Sequence, residues 1–249
     1  MQKIMKSFSF LLVSVSAIAL IGCWSPGGGP VTDIPDNGAV QPKFPSSFYS
    51  GISAEEGWVF EMDSEASEAR LFLWRGGLLA EKGHNHVMRV KKMESAFFLP
   101  KNMLDEEARL DIVFQAKDIE VDPMPLRKEI GGSFAGTGMT PEGAQGTREN
   151  MLGEKVLDAE RFPTIGFRTK RIIGELPRLV LDTVITLHGL ERQTLIPVTA
   201  QVQEDRLTVE GTFVIEQTNF GIEPFSALGG ALYIKDPIMI EFDLAFRAR

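Results

Sequence analysis

One cysteine, Cys23, occurs in 249 residues, alongside three histidines and two tyrosines. A lone cysteine excludes an internal disulfide, so stability has to come from packing. It also leaves no cysteine cluster from which a structural zinc site is normally built. Catalytic signatures are equally scarce. There is no Gly-x-Ser-x-Gly elbow, and serines near acids such as Ser64 and Ser226 have no histidine in a recognisable arrangement. Gly131-Gly132 and Gly229-Gly230 lack the lysine and hydroxyl spacing of a phosphate loop. The run Asp105-Glu106-Glu107 reads as a solvated turn, not an acid and base pair. Basic residues are outnumbered 26 to 34, for a net charge of −8; without Lys3 and Lys6 the balance is 24 to 34, or −10. Such a charge argues against nucleic acid and anionic headgroups as partners. These absences predict a chain that is not an enzyme and needs no cofactor.

The long apolar run is confined to the N-terminus. Lys3 and Lys6 precede Phe8 to Ile21, too short for a spanning helix and the right length for a signal-peptide core. Leu20-Ile21-Gly22-Cys23 resembles a bacterial lipobox, so residues 1–22 are expected to be a cleaved signal and Cys23 the site of lipid attachment. Acyl chains at Cys23 predict an exported protein anchored in the cell envelope. Trp24 is not the aspartate of an inner-membrane retention signal, which points to the outer membrane, facing the periplasm, in a diderm host. Residues 23–53 read as a lipidated flexible linker because Pro26, Gly27, Gly28, Gly29, Pro30, Pro35, Gly38, Pro42 and Pro45 interrupt any regular pattern. Phe44, Phe48 and Tyr49 at its end could instead pack on the folded domain. That domain is expected over residues 54–249, since 43% hydrophobic residues suffice for one sizeable core.

Within 54–249 the hydrophobic period is two. Leu207, Val209, Phe213 and Ile215 share one parity and Arg206, Thr208, Glu210 and Glu216 the other. Ile238, Ile240, Phe242, Leu244 and Phe246 likewise oppose Glu241 and Asp243. This alternation marks half-buried antiparallel strands. Trp58 to Asp63, Ala69 to Trp74, Val87 to Leu99 and Arg109 to Ala116 continue the series, so the fold class is all-β. Asp122 to Gly146, rich in proline and glycine, is expected to form long loops. Thr147 to Ala159 is the one helical stretch, ended by Phe162-Pro163.

Three motifs punctuate the strands: Arg161-Phe162-Pro163-Thr164-Ile165-Gly166-Phe167, Thr186-Leu187-His188-Gly189 and Asn219-Phe220-Gly221-Ile222. In this order and spacing they resemble the YceI-like family over roughly residues 55–249, most strongly from residue 154. The resemblance implies a closed lipocalin-like β-barrel of about eight strands with one short helix and long loops. It also implies an apolar guest, an isoprenoid or quinone-like lipid, held inside. A barrel of that size is filled by side chains or holds one small ligand. The inward parity, and hence the expected ligand-binding set, is Trp58, Phe60, Ile112, Phe114, Leu181, Ile185, Leu207, Val209, Phe213, Ile238, Ile240 and Phe242.

Two other readings stay open. His84 and His86, at i and i+2, would point to one side of an extended segment and could serve as two metal ligands of a metal-binding or redox-accessory envelope protein. His188 is the sole third histidine, and its parity turns it away from the interior. Alternatively, the apolar interior is a filled core and the protein a structural or stress-related envelope module.

Overall fold

The computed structural model describes residues 39–101, 108–135 and 139–249. The expected signal, Cys23 and the first part of the linker lie outside the described residues. Twelve strands form one antiparallel sheet: β1 (Gly57–Met62), β2 (Glu68–Gly76), β3 (His86–Val90), β4 (Glu94–Pro100), β5 (Arg109–Gln115), β6 (Glu120–Val121), β7 (Thr164–Glu175), β8 (Arg178–Leu187), β9 (Leu190–Gln203), β10 (Arg206–Glu216), β11 (Ser226–Ala227) and β12 (Leu232–Ala248). Eight of them, in the order β1-β4-β5-β7-β8-β9-β10-β12, close into a ring, because β1 also pairs β12 through Phe60↔Ala248 and Met62↔Phe246. Closure leaves these strands without free edges.

A bend at residues 63–67 lets the chain run beside β12 twice. β1 covers the end of β12, and β2 takes over from Asp243↔Glu68 onward. β3 and β6 extend β2 away from the ring as a flap. The hydroxyl of Ser67 ties this bend, donating to Asp63 O at 2.8 Å and accepting from Ala245 N at 2.9 Å.

Alternation along β10 follows the expected parity, with Leu207, Val209, Phe213 and Ile215 buried and Thr208, Glu210, Val214 and Glu216 exposed. Gly211 interrupts the inward row for a steric reason. A Cβ there would meet the Phe242 ring at 2.7 Å and Pro197 O at 2.9 Å. The interior cluster spans all eight ring strands and the β2–β3 flap. Two smaller clusters lie on the outside. One, around Val59, Ala96, Phe98 and Tyr49, is covered by α1 (Ser46–Gly51). The other, around Phe72, Val87, Leu126 and Phe134, is covered by α2 (Met124–Ile130) and the turn after it.

Four expectations change. Residues 39–53, placed in the flexible linker by their prolines, are folded onto the barrel. Val40 N donates to Gly189 O at 3.0 Å, Thr164 Oγ1 to Gln41 Oε1 at 2.9 Å, and buried Tyr49 donates its hydroxyl to Asp111 Oδ2 at 2.8 Å. The aromatic residues Phe44, Phe48 and Tyr49 supply enough apolar area to fix a proline-rich segment. Burial, then the Asp111 carboxylate, push the Tyr49 hydroxyl pKa far up, so it stays a donor.

Second, the 122–146 region is not all loop. It contains α2 and the first half of α3 (Pro141–Leu152), which starts before the expected position and stops at Leu152 rather than Ala159. Thr140 caps α3, accepting from Gly143 N at 3.1 Å, with Pro141 at the first turn. Neither helix shows a strong apolar stripe because each buries very few side chains. Among the described residues three α-helices therefore stand where one was expected.

Third, the run from Val87 to Leu99 is two strands, since Lys91 to Met93 break it between β3 and β4. Fourth, Trp58 shares parity with Phe60 yet is 49% exposed. Its only strand partner is Leu99, because β12 already ends opposite Phe60, so no wall remains on its other side.

Candidate functional site

The three motifs meet at one rim of the barrel. His188 (φ 52°) and Gly189 (φ 73°) form the two-residue turn between β8 and β9, and two consecutive positive φ values are what a tight hairpin of this hand requires. A side chain at position 189 would strike the Phe162 ring at 2.6 Å. Phe162 stacks edge-on against His188 with centroids 4.8 Å apart. His188 Nδ1 lies 3.0 Å from Phe220 O, and since a carbonyl only accepts, Nδ1 carries the proton. Gly221 ends that turn with φ 68°. The motif residues are thus a clasp joining three connections, and His188 is committed to it.

Below this rim, inside the barrel, is a void of about 140 Å³. Ile112, Phe114, Leu181, Ile185, Phe213, Ile238, Ile240 and Phe242 from the expected set line it. Ala69, Leu71, Leu73, Met88, Val90 and Met93 from β2, β3 and the turn after them complete one wall, while Met151, Val156 and Leu157 close the rim. Phe60, Leu207 and Val209 are buried in the same cluster without reaching the void. They pack with Phe97 and Phe246 where β10 begins and β12 ends, so this end of the barrel is solid. Trp58 lies outside altogether. The flap residues escape a parity argument because β2 and β3 leave the ring; only their apolar content marked them.

The wall offers a guest almost nothing polar. Among the described residues, Thr169, Thr183 and Gln217 are its only polar side chains. The two threonine hydroxyls face each other at 3.4 Å, and Gln217 Nε2 donates to Lys235 O at 3.0 Å and Asp236 O at 3.2 Å. Among the described residues, the buried side-chain polar atoms without a partner belong to Ser95 and Arg127, neither of which lines the void. An apolar cavity of about 150 Å³ stays dry and binds benzene, so the present space suits roughly six carbons. A longer guest needs the wall to give. Met88, Met93 and Met151 supply that freedom, since thioether side chains repack readily.

A second space of about 80 Å³ adjoins the first at Leu73, Met88, Met151, Val156 and Gln217, and adds His86, Thr147, Asn150, Phe225 and Ile234. Here hydrogen-bonding groups reach the rim. His86 is held from behind: Nδ1 donates to Asp122 Oδ2 at 2.6 Å. Asp122 also accepts from Val87 N at 3.1 Å and pairs with the buried guanidinium of Arg127. Burial raises the Asp122 pKa, but the His86 hydrogen bond and the charges on His86 and Arg127 outweigh it and hold the carboxyl below its ordinary range.

His84 and His86 flank Asn85 at the start of β3. His86 spends one ring nitrogen on Asp122. The intervening Asn85 is buried, accepting from Arg75 N at 3.1 Å and donating to Ser133 Oγ at 2.9 Å. Burial, then the neighbouring His86, push the His84 imidazole pKa down. Among the described residues no three His, Cys, Asp or Glu side chains are placed to hold a metal ion.

Eight closed antiparallel strands around an apolar void define a lipocalin-like barrel. A family model described as the YceI-like domain matches residues 62–246, and the chain belongs to that family. Among solved structures it is similar to BcnA of Burkholderia cenocepacia, with 12% identity, a TM-score of 0.53, and coverage of 74% of this chain and 98% of that one. It is also similar to a YceI protein of Campylobacter jejuni, with 9% identity, a TM-score of 0.46, and coverage of 65% and 84%. At 12% identity the likeness to BcnA is one of fold. No curated protein sequence matches the chain.

Proposed function

We propose that this protein is a non-catalytic carrier of an apolar long-chain ligand, isoprenoid or quinone-like, held inside the barrel and tethered to the envelope membrane through Cys23. The observation that carries the reading is the wall of the void. Its few polar groups are already engaged within the protein, so it has affinity for hydrocarbon and none for a charged or sugar-like guest. The adjoining space with His86, Thr147 and Asn150 suits a chain with a hydrogen-bonding end. Membership of the YceI-like family supports the same reading. Mass spectrometry of an organic extract of the protein purified from its native host tests it. A stoichiometric long-chain lipid is expected, and repeated extracts without any lipid would overturn the carrier.

The small void favours one rival. At about 140 Å³ it is well under the ~300 Å³ of ordinary ligand pockets, as a nearly filled core would be. A structural barrel predicts that no apolar probe shifts the melting temperature.

A further inference from the structure

Two turns at the cavity's rim project bare leucines into solvent. The β2–β3 connection begins Gly77-Leu78-Leu79, and the hairpin between β11 and β12 turns at Leu228-Gly229-Gly230. They are joined, Leu79 N donating to Ala231 O at 2.8 Å. Leu78 is 96% exposed and Leu228 66% exposed, with Phe225 and Tyr233 also open beside them. In a chain that is 24% charged, residues 76–80 and 224–234 contain no charge at all.

Leu228 stands at φ 54°, between Ala227 and Gly229 at φ 64°. A leucine in the left-handed region is strained and glycine would fit better. Packing does not explain a leucine at this position, because most of the side chain touches solvent. Clustered exposed apolar side chains on a soluble barrel mark a contact surface. The identity of the contact follows from what the patch adjoins: Phe225 belongs both to it and to the outer space of the cavity. The first described residue, Ala39, also lies at this rim, close enough that a Cβ on Gly189 would touch its methyl at 3.3 Å.

We propose that this tip inserts into the surface of a lipid bilayer and faces the cavity's rim toward it. Apolar side chains with an aromatic ring at the edge suit the boundary between headgroups and acyl chains. The absence of basic residues from the two tips makes a zwitterionic surface sufficient. That the same contact hands an apolar ligand to the cavity rests on the carrier reading; the insertion does not.

Photo-crosslinking tests the insertion without any ligand. A benzoylphenylalanine side chain is placed at position 78, at position 228 or, at the opposite end of the barrel, at position 204, in the full chain mixed with phosphatidylcholine vesicles. Positions 78 and 228 should give lipid adducts at about ten times the yield of position 204, since acyl carbons are reachable only from an inserted side chain. Equal yields at all three positions, or adducts to a second copy of the chain instead of lipid, overturn the proposal. A second variant, Leu78→Asp with Leu228→Asp, alters two exposed positions and should retain the wild-type melting temperature. It should slow uptake of a pyrene-labelled alkane from vesicles about tenfold or more, with unchanged final occupancy. Slow uptake with normal occupancy supports the docking tip. Absence of uptake in the wild type together with strong adducts at 78 and 228 rejects the carrier and keeps the bilayer contact.

Discussion

Filling the void from one wall separates a hollow barrel from a solid one. Ala69 lines the space on β2, paired with Phe242 of β12 and Val90 of β3. Ala69→Ile adds three carbons, and isoleucine suits a strand. If about six carbons fill ~150 Å³, three occupy roughly 75 Å³, about half of the 140 Å³ available. Burying them in a dry apolar space stabilises by at most ~2.4 kcal/mol, at ~0.8 kcal/mol per carbon. The rotamer fixed on β2, at about 0.5 to 1 kcal/mol, reduces that to about 1.5 kcal/mol. For a domain of this size the gain appears as roughly 3 to 6 °C in Tm by differential scanning calorimetry. The same variant should take up an apolar probe more weakly, because the side chain stands where the guest would lie. A fall in Tm of several degrees, the mark of overpacking by about 1 to 3 kcal/mol, would refute the void. Unchanged probe binding with raised Tm would show that the guest, if any, sits elsewhere.

Val209→Trp gives the contrasting result: Val209 is fully buried in the solid end, and the enlargement should cost about 3 kcal/mol or more, read as a large drop in the urea midpoint. Asp122→Asn leaves the buried Arg127 guanidinium without its anionic partner, so unfolding free energy should fall by about 3 to 5 kcal/mol. The Asp122 pKa is lower folded than unfolded, so its stabilisation is fully present above the ordinary carboxylate value of about 4 and is lost as pH falls below it; acid titrations of wild type should show this slope and Asp122→Asn should lack it. Cys23→Ser should leave the Tm unaltered and move the protein from the membrane pellet to the soluble envelope fraction, and persistence in the pellet after a high-salt wash would show that another contact holds it.

The barrel was legible in the chain because its strands carry a period of two over long stretches. β10 and β12 keep an inward row from Leu207 to Ile215, interrupted at Gly211, and from Ile238 to Phe246, and one register error would put those residues in water. The family motifs were legible as strings, and tertiary structure shows them to be one clasp of tight turns at the rim. Parity reports which side of a strand a residue faces, but not whether a neighbouring strand still stands there. Hence Trp58 lies outside, and Phe60, Leu207 and Val209 sit in a plug rather than a wall. Short helices such as α2, with two buried residues, leave too little periodicity to be seen. Sequence alone determined an all-β chain with an apolar interior, because burial has a local period. Whether that interior is empty, where it opens, and that His86 and two bare leucine turns gather at its rim depended on contacts across more than a hundred residues, which no local pattern encodes.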